Sequence, residues 1–159
     1  MIRSDEFPGY IKIAFPIEGW DDLRRELLWC KPITDNEFEV SNIPALAYDL
    51  AVGDVVSATE EAGKDDSAEF VFNSLLVPSC HSTIRVALPG SSSKEDREQF
   101  RIWIATMQKE WGFAYEGSGT GNLYALDIKD GSTAAELWEA LPEHLIVDCG
   151  VLRYQDLSF

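Results

Sequence analysis

The sequence has few residues of the kinds that build metal centres, disulfide frameworks or thiol-based active sites. Its 159 residues include three cysteines and two histidines. The cysteines, Cys30, Cys80 and Cys149, are odd in number, far apart and outside the CxxC spacing of zinc or redox sites. We therefore expect buried thiols of a reducing compartment, and neither a metal nor another cofactor.

Basic side chains are also scarce. The chain holds 13 lysine and arginine residues against 28 aspartate and glutamate residues, which gives a formal net charge of -15. A field of this sign repels polyanions, so nucleic acid is not expected as a partner. A large negative net charge increases the solubility of any protein, so it need not indicate a function. It is also the charge expected of a surface that binds a basic partner.

Long apolar runs are absent from the sequence. No stretch approaches the roughly 18 consecutive apolar residues that a membrane-spanning helix needs. The N-terminus carries Asp5 and Glu6 where a secretory signal would be apolar. The sequence thus predicts a cytoplasmic protein that neither enters a membrane nor is exported.

The first half of the chain alternates apolar and polar residues with the period of half-buried strands. This pattern predicts five strands, at residues 10–17, 26–31, 37–40, 55–59 and 69–77. The acidic stretch 60–66 is interpreted as a turn, and residues 45–52 as a short helical turn. We expect a small antiparallel β meander that curls into a barrel-like sheet.

The second half changes to a mixed rhythm of strands and helices. Ser92 and Glu95 resemble a capping box, and Gly112 stands where a helix would end. Apolar residues recur between them at helical spacing, namely Phe100, Trp103, Ile104, Met107 and Trp111. The spacing therefore predicts an amphipathic helix that packs through this stripe.

Further elements around this helix complete a recognisable order. Strands are predicted at residues 83–88, 113–116, 123–128 and 145–154, and a second helix at residues 133–141. The order strand, helix, hairpin, helix, strand is typical of a ferredoxin-like α/β sandwich. The sequence thus predicts an α+β fold with a β-rich half at 1–78 and a ferredoxin-like half at 79–159, packed as one compact unit.

No catalytic motif emerges from the chain. The glycine-rich stretch 117–121 precedes a predicted strand, whereas phosphate-binding loops run into a helix N-terminus. Cys80 and His81 adjoin, but neighbours on an extended segment point to opposite faces. We expect Cys80 to pack inward and His81 to make a turn or strand-end hydrogen bond.

Candidate partner-binding residues lie in the acidic first half. Trp20 is flanked by Asp21 and Asp22 in a loop-like segment, which suits either an exposed aromatic anchor or packing under the sheet. Further carboxylates are predicted in the acidic turn, at Glu60, Glu61, Asp65 and Asp66. Together these seven residues form the expected contact surface for a basic protein.

Four short segments resemble a bacterial family known as domain of unknown function 4265. They are LWCKP from residue 28, FEVSNIP from residue 38, GDVV from residue 53 and SCHSTIRV from residue 79. The likeness covers roughly residues 10–155, and Cys80 stands where the family has a glycine. The resemblance implies a cytoplasmic bacterial protein without an assigned activity or catalytic residues.

These features favour a binding role over an enzymatic one. The leading hypothesis is an immunity protein that neutralises a basic bacterial toxin such as a nuclease. One alternative is a small cytoplasmic enzyme that acts through His81 with Asp54 or Arg85. Another is a housekeeping regulatory or scaffold domain.

Overall fold

A computed structural model describes residues 9–18, 24–62, 68–142 and 146–153 of the chain. The chain divides into two compact units, Met1–Ser79 and Cys80–Phe159, called here the N-terminal and the C-terminal unit. The described residues form two sheets and two helices, which is an α+β fold. The packing of the two halves as one compact unit stays a prediction.

The N-terminal unit is a five-stranded closed barrel. Its strands are β1 (Ile11–Pro16), β2 (Arg25–Pro32), β3 (Glu37–Val40), β4 (Val55–Ala62) and β5 (Ala68–Val77). Successive strands pair antiparallel, as expected. The barrel closes through a short parallel pairing of β1 with β5, at Ile13 opposite Phe70 and Ala14 opposite Val71.

The inside of the barrel is apolar because alternate strand residues point inward. Phe15 and Phe72 pack with their ring centroids 5.1 Å apart, and Phe38 meets Phe70 edge to face at 5.4 Å. The buried core also includes Ile13, Leu28, Cys30, Val40, Val56 and Ala58. The predicted alternation in the first half is therefore confirmed.

Two predictions for the N-terminal unit were wrong. Glu60 and Glu61 do not lie in a turn, because β4 continues through them to Ala62 and pairs with β5 along this length. Residues 45–52 form no helix but a series of bends. Tertiary hydrogen bonds to these residues, described below, replace the helical ones.

The C-terminal unit holds a four-stranded antiparallel sheet and both helices. In chain order its elements are β6 (Ser82–Ala87), α1 (Lys94–Trp111), β7 (Ala114–Gly117), β8 (Leu123–Ile128), α2 (Gly131–Ala140) and β9 (Ile146–Val151). The strand order across the sheet is β7-β8-β6-β9. Thus β6 and β8, which are central, carry the core.

The helix starts differ slightly from the prediction. The capping box of α1 is formed by Ser93 and Asp96, one residue later than expected, and Gly112 ends the helix in the left-handed region at φ 73°. In α2 the N-cap is Asp130, whose carboxylate accepts from the backbone N–H of Ser132. Helix α2 therefore begins two residues before Thr133, which we expected to open it.

The core of the C-terminal unit lies between the helices and one face of the sheet. Phe100 and Ile104 of α1 are buried, as are Ala134 and Leu137 of α2. They pack with sheet residues of alternating position, namely Ile84, Val86, Tyr124, Leu126 and Ile128. Trp103, Met107 and Trp111 pack against this core while partly buried, so the apolar stripe on α1 is confirmed.

The lengths and compositions of the two helices can be compared with those of membrane-spanning helices. Within the described ranges, neither is both long enough and apolar enough to cross a bilayer.

Candidate functional site

The expected contact surface for a partner is only partly described. Trp20, Asp21, Asp22, Asp65 and Asp66 lie outside the described residues. The remaining two, Glu60 and Glu61, are exposed near the end of β4. The described part of the expected surface thus lies on a hydrogen-bonded strand.

Glu61 belongs to an acidic outer face of the barrel, called here the acidic wall. It consists of Glu37 and Glu39 on β3, Glu61 on β4 and Glu69 on β5. These residues alternate with Phe38, Val40, Ala58 and Phe70, which pack in or against the barrel core. Since neighbouring positions of a strand point to opposite faces, the four carboxylates share the outer surface.

Like charges meet directly within the acidic wall. Glu61 and Glu69 are cross-strand partners in the pairing of β4 with β5. Arg25 of β2 forms an ion pair with Glu69 and so balances one of the two charges. Directly opposed like charges destabilise a sheet, so Glu61 reduces the stability of the barrel.

The GDVV segment is held by a buried carboxylate. Asp54 is 0% exposed; its Oδ1 accepts from the backbone N–H of Ser79 at 2.8 Å and its Oδ2 from that of Ala51 at 3.0 Å. Gly53 precedes it with a φ of 86°, in the left-handed region that favours glycine. The role of Asp54 here is to hold the turn that enters β4.

A second carboxylate satisfies the loop after the NIP segment. The two oxygens of Glu26 accept from three successive backbone N–H groups, those of Ala45, Leu46 and Ala47, at 2.7–2.9 Å. Asn42 similarly accepts from the backbone N–H of Trp29 at 2.7 Å. The three N–H groups of this loop could bind an anion, and the carboxylate of Glu26 already occupies that position.

His81 has a carboxylate partner in the C-terminal unit. Its Nδ1 lies 2.7 Å from Oδ1 of Asp127 on β8, and their side chains are 19% and 5% exposed. Burial raises the pKa of Asp127, and the hydrogen bond from His81 acts in the opposite direction. The prediction of a strand-end hydrogen bond for His81 is confirmed.

The chemistry open to the His81–Asp127 pair depends on which groups lie near the imidazole. A carboxylate that orients a histidine is one part of a catalytic triad, which also needs a nucleophile or a substrate beside the other ring nitrogen. Arg85 and Thr83 are buried on β6, where they alternate with the core-facing residues Ile84 and Val86. A cavity of about 450 Å³ in the same unit is lined by other residues.

The cysteines differ from one another in environment. Cys30 is buried in the barrel, and burial raises its pKa to about 12. Cys80 is exposed, so the prediction that it packs inward was wrong. It lies on the segment between β5 and β6.

Two other candidate chemistries can be compared with the structure. In the described ranges, no three His, Cys, Asp or Glu side chains converge in a way that could hold a metal ion. The glycine-rich stretch turns between β7 and β8, with the Ser118 N–H bonded to the Leu123 carbonyl. A Cβ added to Gly117 would lie 2.7 Å from the ring of Tyr124, so close packing explains this glycine.

Sequence reasoning missed the partner of His81. Asp127 lies 46 positions away, whereas the enzyme alternative paired His81 with Asp54 or Arg85. Asp54 instead bonds within its own turn. The one available signal was a lone aspartate among the apolar residues 123–128, which indicates a buried carboxylate in need of a partner.

Comparisons with known proteins place the chain in a family and support its fold. No curated protein matches the sequence. A crystal structure of a hypothetical protein from Neisseria gonorrhoeae superposes with a TM-score of 0.64, over 90% of this chain and 95% of that chain. At 17% sequence identity, this likeness concerns the fold alone.

The motif segments noted in the sequence lie within the region that a family profile matches. The profile covers residues 26–152 and is described as a domain of unknown function, DUF4265. The match spans most of the chain, from β2 to the end of β9. This chain therefore belongs to the DUF4265 family.

Proposed function

We propose that this chain is a non-enzymatic immunity protein that binds and neutralises a basic bacterial toxin, such as a nuclease, in the cytoplasm. The observation that carries the proposal is the acidic wall, in which Glu61 faces Glu69 at a cost in stability. A strand pair selected for stability alone would place an opposite charge there. Binding a basic surface offers a reason to keep both carboxylates.

The distribution of charge supports this role. The first 80 residues hold 16 acidic and 6 basic residues, a net charge of -10, and the rest of the chain has a net charge of -5. Glu61 and Glu69, which are cross-strand partners, lie about 5 Å apart laterally, within one Debye length at physiological salt. Their fields therefore add, and they accelerate the approach of a basic partner.

The position of these carboxylates on strands also matters. Glu37, Glu39 and Glu61 lie on paired strands, β3 and β4, so a partner need not order their backbone on binding. A surface that is already ordered loses less entropy in the complex. A toxin that binds nucleic acid through basic residues would be masked by such a surface.

The direct test is co-expression with a basic toxin encoded by a neighbouring gene, with protection of the cells as the readout. Wild type should restore growth, and the triple variant Glu37→Lys, Glu39→Lys, Glu61→Lys should not. The matched control reverses three exposed helix residues of the other unit, Glu110, Glu136 and Glu139, with the same change in net charge. It should protect as well as wild type.

Two outcomes would refute parts of the proposal. Failure of the wild type to protect would remove the immunity role for that toxin. Equal protection by the wall variant and the helix variant would show that the toxin does not bind through the acidic wall.

We further propose that the C-terminal unit is a ferredoxin-like sandwich. Its element order is β-α-β-β-α-β, and the strand order β7-β8-β6-β9 places the first and third strands of the unit in the centre. Both are features of that architecture. Superposition of an experimental structure of this unit on ferredoxin-like domains tests the assignment.

A second function is favoured by one observation, the His81–Asp127 pair. Asp127 orients the imidazole through Nδ1, as in hydrolases that use histidine as a base. Under this alternative the chain is a small enzyme, and His81→Ala abolishes its activity while the wall variant keeps it. Under the binding proposal His81→Ala still protects cells, which separates the two.

A further inference from the structure

A cavity of about 450 Å³ opens beside the N-terminal half of α1 in the C-terminal unit. Its apolar lining comes from three places, with Leu88 and Pro89 following β6, Phe100 and Trp103 on α1, and Pro142 following α2. Cavities of about 300–1,000 Å³ are the usual size for small organic ligands. The volume therefore fits a ring-sized molecule with a short substituent.

The aromatic side of the cavity presents flat surfaces. Phe100 and Trp103 stack with ring centroids 6.0 Å apart and planes inclined by 12°. Phe100 is buried in the core, whereas Trp103 is only partly buried. Part of the indole face is thus available to a planar ligand that continues the stack.

The polar side of the cavity determines the charge that a ligand can carry. It is formed by Ser92, Asp96 and Gln99, of which Asp96 is charged. Asp96 also caps α1: its Oδ2 accepts from the Ser93 N–H at 3.1 Å, and its own N–H donates to the Ser93 hydroxyl at 3.0 Å. The hydrogen bond from the Ser93 backbone lowers the pKa of Asp96, so this carboxylate is ionised at neutral pH.

Capping has two consequences for the cavity. The positive end of α1 is already neutralised by Asp96, which makes the helix terminus a poor site for an anion. A carboxylate can accept about four hydrogen bonds, so Asp96 retains acceptor capacity beyond the cap. A donor or a cation is the complementary group.

We propose that this cavity is a binding site for a small organic cation with a flat aromatic ring. The ring lies against the face of Trp103, and the positive group approaches the Asp96 carboxylate. Trp103 adds a cation–π contribution because indole is the strongest aromatic partner of a cation. This site is separate from the acidic wall and does not depend on the proposed immunity role.

Three probes of similar size test the proposal on the intact chain: benzylammonium, benzyl alcohol and benzoate. The readout is the NMR shift of the Trp103 indole N–H, assigned by its loss in Trp103→Phe. We expect saturable binding of benzylammonium, about fivefold weaker binding of benzyl alcohol, and no binding of benzoate. An unmoved Trp103 signal with benzylammonium, or benzoate binding as tight as benzylammonium, would overturn the proposal.

Two variants check the roles of charge and space. Asp96→Asn keeps an acceptor for the cap and should weaken the binding of benzylammonium about fivefold. The control is Glu98→Gln, which changes an exposed acid on the same helix outside the cavity. It should change the affinity for benzylammonium by less than about twofold. Gln99→Trp fills the cavity from an exposed position and should abolish binding of both benzylammonium and benzyl alcohol. Unchanged affinities in Asp96→Asn and Gln99→Trp would place the probes elsewhere and refute the site.

Discussion

Glu61 of β4 lies directly opposite Glu69 of β5 in the wall of the barrel, and Arg25 of β2 pairs with Glu69. The side chain of Arg25 reaches Glu69 across β1, which β2 and β5 flank. The ion pair balances the charge of Glu69, and among the described residues no ion pair is formed by Glu61. The ion pair therefore offsets part of the repulsion between the two cross-strand carboxylates.

The variant Glu61→Lys should stabilise the protein. It replaces a like-charge cross-strand pair by an opposite-charge pair, and we expect a gain of about 0.5 kcal/mol in the free energy of unfolding. Urea denaturation measures this, with Glu136→Lys on the exposed face of α2 as a control of equal charge change. A loss of stability in Glu61→Lys would contradict the unfavourable pairing of Glu61 with Glu69.

The Asp127 carboxyl should make stability depend on pH. Its pKa in the folded protein is raised above the ordinary value of 3.8, with burial as the main cause. Its contribution to stability is therefore present below that ordinary value and is lost as pH rises through the raised value. Asp127→Asn keeps an acceptor for His81 but lacks this titration.

The comparison uses urea denaturation of wild type and Asp127→Asn between about pH 3.5 and 6. Wild type should lose stability relative to the variant as pH increases across this range. The difference in unfolding free energy between wild type and Asp127→Asn could instead stay constant with pH, or change in favour of wild type as pH increases. Either result would show that the pKa of Asp127 is not raised.

Truncation of a buried side chain on α1 should reduce the free energy of unfolding more than truncation of a partly buried one. Phe100 is 4% exposed, and Phe100→Ala should cost about 3–5 kcal/mol of unfolding free energy. Trp103→Ala should cost less, about 2–3 kcal/mol, because part of its ring lines an open cavity. A larger loss in Trp103→Ala than in Phe100→Ala would mean that the cavity is closed in solution.

Cys30 and Cys80 should react with thiol reagents at very different rates. Cys80 is exposed, whereas Cys30 is 0% exposed with its pKa raised to about 12 by burial. Brief treatment of the native protein with a disulfide reagent, followed by peptide mass mapping, should find Cys80 modified and Cys30 intact. Modification of Cys30 before Cys80 would contradict the barrel packing.

The strands and helices were predictable where burial imposes a period on the sequence. Phe38 and Val40 alternate with two glutamates on β3, and Phe100, Trp103 and Ile104 repeat at helical spacing on α1. The exact start of α1 was not predictable, because Ser92 and Ser93 are both good N-caps with an acid three residues later.

Long-range pairings left no pattern of their own. The parallel closure of β1 onto β5 joins Ile13 to Phe70, and nothing local marks either residue as a partner of the other. The same is true of His81 and Asp127. The acidic residues of β4 were interpreted as a turn because strands rarely favour glutamate, and tertiary pairing with β5 overrides that preference.

The acidic wall is tested most directly by the rate at which the purified protein associates with a basic toxin encoded by a neighbouring gene. In stopped-flow measurements, the Glu37→Lys, Glu39→Lys, Glu61→Lys variant should associate more slowly, and its association rate should lose much of its salt dependence. The variant with Glu110, Glu136 and Glu139 reversed should keep a faster association rate and a steeper salt dependence. Equal rates and equal salt dependence in the two variants would contradict the account, as would the absence of any complex with the wild type.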